Sequence, residues 1–505
     1  MPITLDGSAV KVRELVDVAR HGAPVQLAPE GAARARGGRD ALDAAIASGE
    51  TFYGVNTGFG SLSTRRIGDD DLAALQANLI RSHAAGVGRP LPSEVVRGML
   101  FLLAASLTRG RSGVRVELIE ALVGILNAGV TPIVPETGSV GASGDLAPLA
   151  HAAQVLMGEG HAEYRGDVLP GGAALRDAGL APFELGAKEG LALINGTHLM
   201  AARLALVWDD FERLFSAAVT AAAMSIDACR GTDAYLDERV YAARNQPGAA
   251  HVAGLIRTRM ADSEILASHR SGDPRVQDPY SFRCAPIVLG SVRDAGVYVR
   301  DRLESELGAV TDNPLVFADG SGPAEIVSAG NFHGMPAALP LDVISIALSH
   351  LAGISERRVY HMLSVFDPET NLNPFLSPQP GLHSGLMIAQ YTAAAACNEL
   401  VGLANPASVA NISTSAGMED YNSFGPRAAA KAARGIELAR SVVAIELLCA
   451  AQAMESHRPL MTGARLERAH ATIRERVAPL TVDRSPTPDI EAIAALIDEG
   501  AFDDA

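Results

Sequence analysis

The chain has 505 residues, 42 basic and 58 acidic, for a formal net charge of −16, with 48% hydrophobic and 20% charged residues. That composition folds rather than staying disordered, and a length prior of about 150 residues per domain suggests about three domains. The acidic balance argues against a nucleic-acid or anionic-membrane binder, because no basic field is there to displace counterions.

Cys229, Cys284, Cys397 and Cys449 are far apart and form no C-x-x-C pair. Neither a zinc ribbon nor a secreted disulfide framework is expected. Residues 1–7 have no basic n-region and no apolar h-region, so they do not read as a signal peptide. The uncharged apolar runs 214–226 and 384–397 fall short of the ~20 residues that span a bilayer. A soluble, cytoplasmic protein is the expectation.

In chain order, residues 1–50 read as a strand or two and then a helix through Asp40–Ser48, after a Gly/Arg-rich stretch. The run Thr51-Phe52-Tyr53-Gly54-Val55-Asn56-Thr57-Gly58-Phe59-Gly60 reads as a loop, since glycine costs ~1 kcal/mol per helical position. Apolar spacing near 3.6 predicts helices at about 70–86, 93–109 and 114–128. A Pro/Gly-rich loop over 131–144 precedes a helix from Asp145 to about Met157, with Asp at its cap or first turn. Short strands and turns follow over 158–188.

Long Ala/Leu-rich helices are then predicted at about 189–230, 247–261, 286–308, 338–366, 383–404 and 425–455. Several are apolar most of the way round, as in the middle of a bundle. The loops between them, 271–284, 311–336, 367–381 and 406–426, exceed the usual ~2–8 residues of bundle connections, and long loops on a rigid scaffold tend to carry function. Shorter helices are predicted at 464–477 and 489–499.

Nucleotide-binding and zinc-protease motifs are absent, and Gly141-Ala142-Ser143-Gly144-Asp145 is not a G-x-S-x-G elbow. On its own the run 139–151 reads as a helix entry with a Ser or Asp cap. A second reading starts from the missing Cβ of Gly144, which permits a tight bend. Attack of its amide nitrogen on the Ala142 carbonyl, with loss of water and dehydration of Ser143, would leave a conjugated electrophile.

That run resembles the signature of the aromatic amino acid lyase family, which comprises the histidine, phenylalanine and tyrosine ammonia-lyases and the related aminomutases. Further blocks occur in the family's order: residues 53–60, Asn195-Gly196-Thr197, residues 277–284, Thr311-Asp312-Asn313-Pro314 and Gly330-Asn331-Phe332-His333-Gly334. The resemblance implies that Ala142, Ser143 and Gly144 mature into 4-methylideneimidazole-5-one (MIO). It also implies that Tyr53 is the base removing the substrate β-proton and Arg283 the carboxylate anchor, for which a planar bidentate fork is suited. By the same resemblance Asn195, Gln277 and Tyr280 are polar groups around the cofactor and the amino and carboxyl groups, and Phe332 is a wall of the aromatic pocket. Taken singly, each has a plainer fate: loop capping, surface charge or core packing.

For the substrate ring, Ser82-His83 resembles the histidine-type pair; phenylalanine enzymes have Phe-Leu there and tyrosine enzymes His-Leu. Read alone, His83 is a helix-end residue satisfied by a backbone group. Glu419 agrees with the histidine reading, since a carboxylate accepts an imidazole N–H better than an amide does. Four positions depart from the pattern: Met418, Met335, His198 and Tyr421-Asn422.

The resemblance implies a mostly α fold, a long antiparallel helical bundle with a smaller N-terminal domain carrying the MIO loop, divided as 1–205 and 206–505. Two regions thus replace the three of the length prior. It further implies a homotetramer with each site built from three chains, a small amino acid substrate, no nucleic acid or membrane partner, and no metal. The expected reaction is non-oxidative deamination of L-histidine to urocanate and ammonia. Tyrosine or phenylalanine ammonia-lyase, a 2,3-aminomutase, or an inactive helical scaffold are the alternatives.

Overall fold

The computed structural model describes residues 2–48, 51–52, 54–57, 67–68, 71–318, 324–364 and 367–503. Among them helix dominates: nineteen α-helices stand against four small sheets of two or three strands. The mostly α class is as expected. The chain forms two compact units, one gathering 1–209, 300–341 and 406–430, the other 210–299, 342–405 and 431–505. The 1–205 stretch thus lies inside the first unit, together with two later stretches.

In the first unit, strands Ile3–Leu5 and Val25–Leu27 pair in parallel around helix Val12–His21. The helix Pro29–Ala47 starts eleven residues earlier than the sequence predicted. Its Gly/Arg-rich first half is helical because packing outweighs propensity. Gly38 is buried, and a Cβ there would stand 2.0 Å from the Gly110 carbonyl oxygen. Helix Ser93–Leu107 buries every residue from Gly98 to Leu107 and packs on Val12–His21 and Val116–Ala128. Helices Leu72–His83, Leu146–Leu156 and Glu189–Ile194 pack on one another.

The predicted helix over 189–230 is two helices, Glu189–Ile194 and His198–Ala228. The break falls at Asn195-Gly196-Thr197, where Asn195 is extended and Gly196 has φ +135°. The backbone of Gly196 leaves the helical path to pair with Gly144.

In the second unit the apolar helices enclose a charged centre. The Arg358 guanidinium and the Glu446 carboxylate are both fully buried, with Nη2 2.8 Å from Oε2. Ser225 and Ser355 hydroxyls donate to the same carboxylate at 2.7 and 2.6 Å, so every charge there is hydrogen-bonded. Met335–Leu363 is the one described helix long and apolar enough to cross a membrane by length and composition. Its apolar window is 61% buried and it carries Asp342, Glu356 and Arg358 inside the fold, as a core helix does. The four cysteines are free; Cys229 and Cys449 are buried.

Candidate active site

The loop before helix Leu146–Leu156 is bent at two glycines, Gly141 with φ +67° and Gly144 with φ +74°. A Cβ on Gly144 would meet the Gly196 carbonyl oxygen at 2.1 Å, and one on Gly141 would meet Ser423 Oγ at 2.1 Å. Only glycine fits either position. Ala142 is buried and Ser143 half-buried between them. A triplet whose third residue must be glycine, held in a tight bend, fits the MIO precursor.

Neighbouring strands of chain clamp this loop. Asp145 N–H donates to the Gly196 carbonyl at 2.7 Å, and Gly196 N–H to the Ser143 carbonyl at 3.3 Å. Ser423 Oγ donates to the Gly141 carbonyl at 3.0 Å, Gly334 N–H to the same oxygen at 3.4 Å, and Phe424 N–H to the Val140 carbonyl at 2.9 Å. Helices begin directly after these clamps, at Leu146, His198, Met335 and Gly425. Four positive helix ends therefore gather at the loop, which favours negative charge there.

Asp145 was expected to cap its own helix. Its carboxylate instead caps the helix His198–Ala228, Oδ2 accepting from Leu199 and Met200 N–H at 2.9 and 3.2 Å. Oδ1 has no partner. Burial pushes the pKa up to about 7, against the pull of the two amides.

Asn195 Nδ2 donates to the Asn313 carbonyl at 3.0 Å, and its buried Oδ1 has no partner. The start of the same short helix is pinned by Lys188, whose buried ammonium lies 2.5 Å from the Asp312 carboxylate. Burial lowers the Lys188 pKa, opposed by Asp312. One dipeptide, Asp312-Asn313, thus holds both ends of helix Glu189–Ile194.

Glu419 reaches the loop itself. Ser143 Oγ donates to its Oε1 at 3.2 Å, and Thr414 Oγ1 to its Oε2 at 3.0 Å. His83, half-buried, ends helix Leu72–His83 with Nδ1 2.9 Å from the Leu79 carbonyl. The Ser82 hydroxyl lies 3.1 Å from the same nitrogen, and a carbonyl partner suits Nδ1 as the donor of a neutral ring. The turn after it adjoins the loop, with Gly86 N–H donating to His151 Nε2 at 3.0 Å, and a Cβ on Gly138 would stand 2.9 Å from Gly86 Cα. Phe332 is half-buried beside His333 in the segment that ends at Gly334.

In the second unit, Gln277, Tyr280 and Arg283 form their own cluster. The Arg283 guanidinium lies 4.5 Å from the Tyr280 ring centroid, and its Nε donates to the Asp278 carbonyl at 3.0 Å. With its amide turned so that the oxygen faces Arg283, Gln277 accepts from the same Nε at 3.1 Å. Tyr280 is 70% exposed. Tyr53 lies outside the described residues. Its neighbour Gly54 is described: its N–H donates to Thr57 Oγ1 at 3.0 Å and its carbonyl accepts from Gln76.

The motifs thus bring Ala142, Ser143, Gly144, Asn195 and Glu419 to one loop, with His83 and Phe332 on segments that touch it. Sequence reasoning gave no part to Lys188, Asp312, His333 or Ser423. Two of them, Asp312 and His333, sit inside blocks that carry the resemblance, which was the available signal. His198, a departure from the pattern, is buried with both ring nitrogens unpartnered. Burial and then nearby Arg109 bring its pKa down to about 3.

The family described as aromatic amino acid lyase matches residues 10–475. A histidine ammonia-lyase of Anaeromyxobacter sp. (strain K) is 48% identical, covering 99% of each chain. The crystal structure of histidine ammonia-lyase from Trypanosoma cruzi superposes with a TM-score of 0.92 at 38% identity, over 99% of this chain and 94% of that one. Pantoea agglomerans phenylalanine aminomutase superposes at 0.93 with 31% identity, over 99% and 100%. The chain belongs to the aromatic amino acid lyase family.

Proposed function

We propose that this protein is a histidine ammonia-lyase, which converts L-histidine to urocanate and ammonia without net oxidation. The observation that carries the substrate is the Glu419 carboxylate on Ser143, with His83 on the neighbouring turn. An imidazolium donates from both ring nitrogens. Glu419 can accept from an imidazole N–H or pair with an imidazolium, and His83 offers a second polar partner to the ring, whereas phenylalanine offers no ring donor.

An MIO group made from Ala142, Ser143 and Gly144 supplies an electrophilic methylene at residue 143 that activates the amino acid for loss of its amino group. Around it, the helix ends favour anionic charge. Arg283 holds the carboxylate, with Gln277 and Tyr280 beside it. Asn195 presents its amide at the loop, Phe332 walls the pocket, and Tyr53 removes the β-proton, a task for which a phenol of ordinary pKa ~10 has to be poised as phenolate. The division at residue 205 separates the cofactor loop from the carboxylate anchor. No metal takes part.

The assembly is a homotetramer in this reading, in the cytoplasm, with a small amino acid as its only partner. The exposed Tyr280, Ile388, Tyr391 and Val401 are supporting features, since subunit contacts cover such apolar surface. Met335 and Met418 make the pocket less polar, and a 2,3-aminomutase is the second reading on that ground.

A panel of histidine, tyrosine and phenylalanine, read by ultraviolet product spectrum, tests the assignment. Urocanate from histidine is the expected product. A β-amino acid would establish the mutase instead. A peptide spanning 142–144 at its full unmodified mass would refute the MIO.

A further inference from the structure

Glu419 sits on a segment held by polar contacts more than by buried apolar ones. Ile412, Met418 and Tyr421 are all more than 60% exposed, so few buried apolar contacts fix the loop. Ser415 and Ala416 both take left-handed backbone, with φ 51° and 54°, which costs roughly 1–2 kcal/mol per residue outside glycine. Such a loop keeps its shape only through specific polar contacts.

Beside the bonds of Ser143 and Thr414 to the Glu419 carboxylate and those of Ser423 and Phe424 to the electrophile loop, three further contacts shape it. Thr414 pairs with Glu419 through backbone. Asn411 and Asn422 exchange hydrogen bonds at 3.3 Å. The third comes from another part of the chain: His333 Nε2 lies 3.1 Å from the Tyr421 carbonyl, two residues from Glu419. Its ring stacks on that of Tyr421, with centroids 6.2 Å apart and planes 29° apart. The other nitrogen, Nδ1, accepts from Met335 N–H at 3.3 Å. An acceptor at Nδ1 and a donor at Nε2 define one neutral tautomer, and both partners demand the same one.

His333 is also fixed relative to residue 143, because Gly334 N–H donates to Gly141. His333 therefore holds the Glu419 loop by its ring while the adjoining Gly334 backbone holds the electrophile loop. We infer that His333 is a positioning residue that sets where the Glu419 carboxylate stands against residue 143, and thereby the preference for an imidazole ring. This rests on the role given to Glu419 above.

Two variants separate the two arms. His333→Gln places an amide N–H at the reach of Nε2 and keeps the donor to Tyr421. His333→Asn is too short for Tyr421 but retains an acceptor for Met335 N–H. Losing one hydrogen bond of ordinary net strength corresponds to about a tenfold change. His333→Asn is expected to raise the KM for histidine about tenfold, with kcat less affected and the 142–144 peptide still lighter by two waters. His333→Gln is expected to stay within about threefold of the parent. Glu419→Gln serves as the control. If it is selective for histidine while His333→Asn is silent, or while His333→Asn impairs histidine, tyrosine and phenylalanine equally, the inference is overturned and the functional reading stands. If Glu419→Gln is not selective either, both fall together.

Discussion

Ser143 Oγ donates a hydrogen bond of 3.2 Å to Glu419, a residue 276 positions later in the chain. The side chain that would carry the electrophile and the carboxylate that would hold the substrate ring are therefore neighbours. The first prediction follows from that contact. Glu419→Gln keeps size and shape but removes the charge, and a charge-assisted hydrogen bond contributes about 1.5–3 kcal/mol. The kcat/KM for histidine should fall roughly 10–100-fold, with a much smaller change for tyrosine or phenylalanine. An equal loss on all three would remove Glu419 from the imidazole site.

Ser143→Ala removes the hydroxyl that dehydration requires. The bend depends on Gly141 and Gly144, not on the serine, so the variant should fold with an unfolding midpoint close to the parent's. Its 142–144 peptide should keep full mass and most of the activity should be lost. Near-normal turnover would refute the electrophile.

The Lys188–Asp312 pair is buried at 0% and 3% side-chain exposure. Lys188→Met strands the Asp312 carboxylate in the interior, which costs about 3–5 kcal/mol. Lys188→Met combined with Asp312→Asn removes the stranded charge and leaves an acceptor for Asn313 N–H, which Asp312 receives at 2.6 Å. The double variant should recover much of the stability in a denaturant titration. If it unfolds no later than the single variant, the stranded charge is not the cause.

His198 makes the pH prediction. Its folded pKa is about 3 against an ordinary 6.5. Between those values the unfolded chain takes up a proton that the folded chain refuses. This contribution is fully present above pH 6.5 and is lost as pH falls toward 3. At pH 4.5 the loss is roughly 2–3 kcal/mol, from about 1.4 kcal/mol per unit. His198→Gln removes the titrating group, so its melting temperature should drop less than the parent's between pH 7 and pH 4.5. Parallel declines would show that His198 is not buried neutral.

Much of the site was legible because its chemistry sits in short contiguous blocks. Ala142-Ser143-Gly144 and Ser82-His83 stood out through their resemblance to family blocks rather than on their own, and the glycines of the loop fall where no Cβ fits. Helix limits were legible where apolar periodicity was unbroken, as in Val116–Ala128 and Met387–Leu403. They were not legible in Pro29–Ala47, where buried glycines serve packing, or at Asn195-Gly196-Thr197, where a backbone pairing with Gly144 interrupts an otherwise helical pattern. Asp145 looked like the cap of its own helix and caps another, since propensity ranks a residue for capping without saying which amides it will meet.

The sequence by itself determined the class of fold, the family and the residue types available for the chemistry, because periodicity, glycine placement and motif order are local properties of the chain. Tertiary structure decided the partners. Lys188 finds Asp312 124 residues away, and His333 finds the Tyr421 carbonyl 88 residues away. Such pairings depend on which segments approach within about 3 Å after packing, and nothing in the local sequence of either partner specifies the other.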